Sequence, residues 1–382
     1  MTSSKKSIDV NHGLEHIDAS KFKFAKSFGD TRLDQIVGKP STYLKDVVKR
    51  FIKNPWAMIF LALFIIIVLF IIIVPLTSKY KVDTAVSSIS WAFNLRPRWP
   101  GGVINGYYEK LLNNTEYEKI KDTPGFIIEY LGRFGPQHRL IINPYALNEL
   151  KDVYPLFGTD ARGIDIWTKT WVAAGNSLLV AVGVALVSIV IGAVYGSISG
   201  AFAGRWPDTI LMRIIEILSG IPTILWLLLL GIIFSTDGSS LNLQALFTAL
   251  ISIMWMGPAS LTRMYIMKSK DAEYVQAVRT LGGSQARIIF VHMLPNISGR
   301  LLVRFVHIIP SVIFFESTLV YLGLKDSTEL GLGTAINDGN SITEYIAPLL
   351  LPALILVGLT LSAQIVANAL NDAVDPRVDA RK

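Results

Sequence analysis

Asn176, Glu216, Thr223, His307, Gln364 and Asn368 each interrupt a run rich in Leu, Ile, Val and Ala. A polar side chain facing lipid is costly, so these positions point to a bundle interior or a passage for solute. Glu216 follows Arg213 by three residues, about one helical turn, and is spaced for an ion pair. His307 stands beside Ile308, Ile309 and Pro310, where it suits a hydrogen bond to a neighbouring helix or a contact with the solute. None of these groups forms a bond-breaking set. The sequence lacks a G-x-x-x-x-G-K-[ST] phosphate loop, and Gly282-Gly283-Ser284 is not followed by the lysine one would require. H-E-x-x-H and G-x-S-x-G are absent, and the five histidines are scattered. With no cysteine, disulfides and Cys-ligated metal are excluded. The residues read as a conduit with no catalytic centre, cofactor or metal of its own.

A polar island between two long apolar runs covers Asp271 to Asn296, DAEYVQAVRTLGGSQARIIFVHMLPN. Tyr274, Val275, Val278 and Leu281 recur at helical spacing and predict one apolar face. Gly282 suits the helix C′ position, where the backbone takes positive φ. Ser284 can cap a second short helix, and Pro295 fits the first turn of a following membrane helix.

This island resembles the E-A-A-x3-G-x9-I-x-L-P loop of ABC-importer permeases. Gln276-Ala277-Val278 stand at the E-A-A positions, Gly282 at the glycine, and His292-Met293-Leu294-Pro295 at I-x-L-P. Gln276, Val278 and His292 depart from the pattern, while the glycine-to-proline spacing is intact. Further segments resemble the C-type permeases of oligopeptide and dipeptide importers. Lys53-Asn54-Pro55 is similar to their K-N-P, and Pro155-Leu156-Phe157-Gly158-Thr159-Asp160 with Gly163-Ile164-Asp165 to P-L-G-T-D-x-x-G-R-D. Glu316-Ser317-Thr318-Leu319 with Tyr321-Leu322-Gly323-Leu324, and Asp375-Pro376-Arg377, are similar to E-A-A-L-S-F-L-G-L and D-P-R.

The resemblance implies an all-α polytopic fold of the type I importer class with six transmembrane helices, working by alternating access. It implies a homologous second permease, two ATPase subunits that bind ATP and Mg, and an extracytoplasmic peptide-binding protein. Glu273, Gln276, Ala277, Val278, Arg279, Gly282, Arg287, Leu294 and Pro295 would then couple this chain to an ATPase. The same fold could carry nickel chelates or oligosaccharides. An ion-coupled transporter would instead need paired midplane acids or broken helices in matching halves, and neither stands out.

The elements that must hold these residues are long apolar runs. Trp56 to Leu76 is long enough to cross a bilayer of about 30 Å. Further spans are expected over Trp171–Ser199, Asp208–Phe234, Leu241–Tyr265, Ile297–Leu324 and Tyr345–Leu370. Lysine and arginine cluster around Arg205, from Arg263 to Arg304 and after Asp375, whereas 235–242 and 325–344 hold one basic residue, Lys325. The positive-inside rule then puts both termini and the polar island in the cytoplasm of a bacterial plasma-membrane protein.

The remaining segments follow from this frame. Residues 1–40 read as a polar tail, and 41–55 as an amphipathic helix with Leu44, Val47, Val48, Phe51 and Ile52 on one face, suited to membrane lipid. The 78–168 stretch is too polar to span and reads as an extracytoplasmic insert, a lid or a docking surface. Its Trp91, Trp99, Tyr107, Tyr108, Phe126, Tyr130 and Phe134 supply apolar mass, and Pro97, Pro100-Gly101-Gly102 and Pro124-Gly125 supply turns. The permease core would run over 169–372, with a short cytoplasmic end at 373–382. A composition of 51% hydrophobic and 17% charged residues, with mean hydropathy +0.46, fits a membrane protein. The net charge of +7 follows the loops and needs no nucleic acid.

Overall fold

The computed structural model describes residues 43–234, 243–324, 330–342 and 345–374. The tail expected over 1–40, Lys325 and Asp375-Pro376-Arg377 lie outside the described residues. The chain divides after Val48 into two compact units, within the first helix, α1 (Tyr43–Ile52). That helix carries the expected split of apolar Val47, Val48, Phe51 and Ile52 against Lys45, Lys49 and Arg50.

Asn54 explains the K-N-P segment. Its side chain accepts a hydrogen bond from the Ala57 amide at 3.3 Å, and Pro55 occupies the first turn of α2 (Pro55–Thr77). The cap satisfies one of the amides that a helix start leaves unpaired.

Between α2 and α4 lies a small mixed unit. Strands β1 (Tyr108–Asn113), β2 (Ile127–Phe134) and β3 (Gln137–Ile142) form an antiparallel sheet in the order β1-β3-β2. Tyr108 pairs with Ile142 and Asn113 with Gln137, and helix α3 (Asn114–Ile120) follows β1. An all-α fold is therefore corrected to a mostly helical one with a three-stranded sheet in the insert. Tyr108, Leu112, Ile120, Phe126, Leu140 and Ile142 form its core. The expected aromatic mass only partly faces inward: Trp91 packs edge-on against Phe126, while Trp99, Tyr107, Tyr130 and Phe134 are exposed. Gly101, Gly102 and Gly125 all take positive φ, as their turns require.

The Pro155–Asp165 segment fastens this unit to α4 (Ile166–Ala201). Thr159 Oγ1 accepts from the Leu95 amide and donates to the Ala92 carbonyl. Gly158 has φ +84°, and a Cβ there would strike Tyr345 and the Leu95 carbonyl. Asp165 caps α4, accepting from Thr168 N at 2.9 Å and Thr168 Oγ1 at 2.7 Å. Asp160 receives buried Lys169, whose Nζ also reaches Asp338 Oδ2 at 2.6 Å. Inserted Phe157 stacks on Trp167.

After α4 come α5 (Trp206–Ser219) and α6 (Thr223–Phe234), bent by 90°. The single span expected over Asp208–Phe234 is therefore two helices. Pro222 has no amide hydrogen and disfavours helical backbone at Ile221, so the chain turns at Gly220-Ile221-Pro222. Next are α7 (Leu243–Met254) and α8 (Met256–Ser269), which count as one long element, Gln244–Ser269.

Helices α4 and α8 meet through a stripe of small residues. Gly192 lies against Pro258 and the Trp255 carbonyl, Gly196 against Ala259 and Thr262, and Gly200 against Ile266. A side chain at any of the three would have to displace backbone or a packed β-branched group. Without a hydrophobic drive between helices in lipid, such close approach is a main source of association.

Helices α9 (Glu273–Thr280) and α10 (Gln285–Arg287) lead through a π turn, Ile288–Met293, into α11 (Leu294–Tyr321). Short helix α12 (Leu332–Asn340) precedes α13 (Ala347–Val374). Gly323, at φ +73°, ends α11 in a Schellman turn with Gly323 N to Val320 O and Leu324 N to Leu319 O. Glu316 is buried within α11. Among the described residues, five helices are long and apolar enough to cross a membrane, plus the bent pair α5–α6.

Candidate functional site

The polar island folds as a helix, a tight turn and a continuous exit. Glu273 in the first turn of α9 and Arg279 in its last complement the helix dipole. Leu281 N bonds to Ala277 O, Gly282 N to Arg279 O and Gly283 N to Val278 O. This is a full Schellman turn, and Gly282 takes φ +82° as the sequence predicts. Ser284 Oγ accepts from the Arg287 amide at 3.4 Å, the expected cap.

Two expectations here are corrected. Only Val275 of the proposed apolar face is fully buried, with Val278 half-buried; Leu281 is 86% exposed and Tyr274 37%. Two helical turns can present few residues to one neighbour, and Leu281 lies past the last of them. Pro295 stands in the first turn of α11, as expected; the second difference is that α11 has no separate start. The helix runs unbroken from Gln285 to Tyr321. Pro295 cannot donate to the Val291 carbonyl and its ring would crowd it, so the turn before it widens and Leu294 N bonds to Ile289 O, five residues back.

The inner side of the segment is well anchored. Val275, Ile288, Ile289 and Met293 pack with Ala193 of α4, Ile266 of α8, and Ile297 and Leu301 of α11. Arg300 donates to Tyr265 Oη at 2.6 Å and lies over its ring. Beside it, Arg263 forks onto Asp208, which also receives Ser199 Oγ and the Gly204 amide. The outer side is left bare: Glu273, Gln276, Ala277, Arg279, Gly282, Arg287 and Pro295 are exposed, and Leu294 is half-buried. Around protruding Leu281 this makes a surface of mixed charged, polar and apolar groups.

The six polar positions in the spans separate into groups. His307 Nδ1 and Gln364 Nε2 are 3.2 Å apart, joining α11 to α13, and Asn368 lies one turn along α13 on the same exposed face. Glu216 pairs with Arg213 at 2.8 Å, as spacing suggests, and both are exposed. Asn176 donates to the Leu330 carbonyl at 2.9 Å. It borders a cavity of about 440 Å³ with Arg162, Lys169 and Asp83. Thr223 begins α6, half-buried and apart from the rest. The structure thus unites His307, Gln364 and Asn368 and leaves Asn176, Glu216 and Thr223 elsewhere.

Two residues escape the sequence reading. Leu281 counts as an inward residue by periodicity, although the Gly282 that follows already ends the helix. Arg304 sits on the His307 face of α11, one turn earlier, and its place inside an apolar run is the signal that could have marked it.

Comparison with known proteins agrees along the chain. Residues 188–380 match the family described as binding-protein-dependent transport system inner membrane component, and residues 42–97 match the N-terminal TM domain of oligopeptide transport permease C. The oligopeptide transport system permease protein OppC of Mycoplasma pneumoniae is 43% identical over 92% of this chain and 94% of its own. The OppC of Mycoplasma genitalium is 42% identical over the same shares. The dipeptide transport system permease protein DppC of Lactococcus lactis is 30% identical over 93% of this chain and 97% of its own.

Proposed function

The chain belongs to the family of binding-protein-dependent transport system inner membrane components, and from that premise we propose that it carries oligopeptides or dipeptides across the membrane as the permease subunit of an ABC importer. It is a multi-pass membrane protein and not itself an enzyme. The observation that supports the peptide reading is likeness along nine-tenths of the chain to proteins named as oligopeptide and dipeptide permeases.

In this reading α5 and α6 make one broken span, giving six, with both termini and the polar island in the cytoplasm. The insert then lies outside, available to a peptide-binding protein. A homologous second permease and two ATPases complete the importer, and ATP with Mg binds to the ATPases.

The bare outer side of α9 and α10 is the ATPase-docking surface. Glu273, Gln276, Ala277, Arg279, Gly282 and Arg287 border it, with Leu281 as the apolar group that enters a groove of the partner. Val278 and Leu294 pack the segment against the inner cluster, and exposed Pro295 borders the docking surface at its α11 end. Alternating access needs an element whose two settings differ in their contacts, and the anchored underside lets the segment follow its partner as one body. Purification of the assembled importer tests this. A stoichiometric ATPase pair and ATP-dependent peptide uptake are expected; uptake by the isolated chain would overturn it.

A further inference from the structure

On the exposed faces of α11 and α13, polarity changes partway along. On α13, Leu354, Val357 and Leu361 give way to Gln364 and Asn368. On α11, Phe314 and Tyr321 occupy one half and Arg304, His307 and Ser311 the other. The helices are antiparallel, because α12 touches the end of α11 through Gly333 and the start of α13 through Gly339. Both polar halves therefore lie at the end nearest the polar island, and the His307–Gln364 contact joins them.

Exposed Asp372 ends the strip one turn beyond Asn368, and Arg304 is its cation. It stands about 15 Å along α11 from Leu294, and its guanidinium rests on Gly257 of α8, where any side chain would collide with it. Among the described residues it has no carboxylate and no hydrogen-bond acceptor. A cation held inside a span with no partner marks a place where an anion or water is met. Guanidinium pairs with carboxylates through two parallel hydrogen bonds, and it holds its charge at any working pH.

We propose that Arg304, flanked by His307, Gln364 and Asn368, is a cationic station on the transport pathway that receives the terminal carboxylate of the passing peptide. The inference rests on the peptide-permease reading. That carboxylate is the anionic group every unmodified linear peptide carries whatever its sequence, so a station reading it stays indifferent to side chains. The neighbouring hydrogen-bonding groups suit the adjoining amides.

The test uses the complete importer in liposomes, with tetra-alanine and its C-terminal amide at saturating concentration, and reads the ratio of their initial uptake rates. Dividing each variant's ratio by the wild-type ratio cancels selection by the binding protein. Arg304→Gln is expected to lower the ratio at least fivefold, through slower uptake of the acid, and Arg304→Lys to restore most of it. Gln364→Glu, an exposed and nearly isosteric change, places a carboxylate beside the station and should lower the same ratio in a chain that folds normally. An unchanged ratio in both Arg304→Gln and Gln364→Glu overturns the inference. Equal loss of acid and amide also overturns it, assigning Arg304 to a lipid phosphate or to an acid of the partner permease. If wild type imports neither peptide, the peptide reading itself falls.

Discussion

Arg263 and Asp208 face each other in a two-pronged ion pair, with Nε to Oδ1 at 2.6 Å and Nη2 to Oδ2 at 2.7 Å. The pair joins α8 to the start of α5, and Ser199 and the Gly204 amide occupy the remaining lone pairs of the carboxylate. Removing one partner of a buried pair leaves an uncompensated charge. Asp208→Ala should therefore cost toward the lower end of about 3–5 kcal/mol, because Arg263 keeps some exposure. A thermal unfolding scan of the purified complex, read against Asp208→Asn, checks it; a melting temperature within a degree of wild type would show the pair to be dispensable.

The glycine stripe sets the α4–α8 distance. Gly196→Ala should destabilise by about 1–3 kcal/mol, since its methyl meets the Ala259 backbone and Thr262. Gly196→Leu should abolish the folded chain, seen as loss of membrane-inserted protein on blots. Normal amounts of the leucine variant would mean the helices separate at no cost.

At Gly282 the strain is conformational and not steric. Nothing lies within 4 Å of a Cβ built there, yet φ is +82°. Gly282→Val should cost about 1–2 kcal/mol locally, leaving insertion intact while abolishing peptide uptake. Gly282→Asn, tolerant of the left-handed region, should retain much of it. Equal uptake by the valine variant and wild type would remove Gly282 from the coupling segment.

Leu281 separates docking from folding. At 86% exposure its replacement by serine should change stability by less than about 0.5 kcal/mol. Peptide-stimulated ATP hydrolysis should nonetheless drop severalfold, as an interface anchor predicts. Unaltered stimulation would place the ATPase contact elsewhere on the outer side.

Asp165 carries a pH dependence. Burial pushes its carboxyl up from the usual aspartate range, and its Oδ1 has no hydrogen-bond partner among the described residues. A carboxyl whose folded pKa is raised favours the native state while protonated. That contribution is complete below the unfolded pKa of about 3.9 and is lost as pH rises through the higher folded value. Asp165→Asn keeps an amide oxygen for the Thr168 cap, so its melting temperature should gain on wild type as pH rises from about 4 to 8. A constant difference across that range would contradict it.

What could be read from the sequence was local. Gly282, Ser284, Asn54-Pro55 and Glu216 with Arg213 depend on residues within a turn of one another, and each stands where spacing puts it. What could not be read depends on distant neighbours. Asp208 finds Arg263 fifty-five positions away, and the stripe of Gly192, Gly196 and Gly200, visible as a G-x-x-x-G pattern, gains meaning only from the opposing backbone of α8. Pro222 was in plain sight inside an apolar run. Composition registers that run as one span, whereas the missing amide breaks it.

The π turn before Pro295 has a mechanical consequence. Since it absorbs the proline without ending the helix, Gln285 to Tyr321 is a single member of 37 residues, about 55 Å long. Pivoted at one end, such a lever carries its far tip by about 1 Å for each degree of tilt. A small rocking at the foot beneath Leu281 would thus be carried toward Tyr321, less whatever bend Pro310 inside α11 takes up.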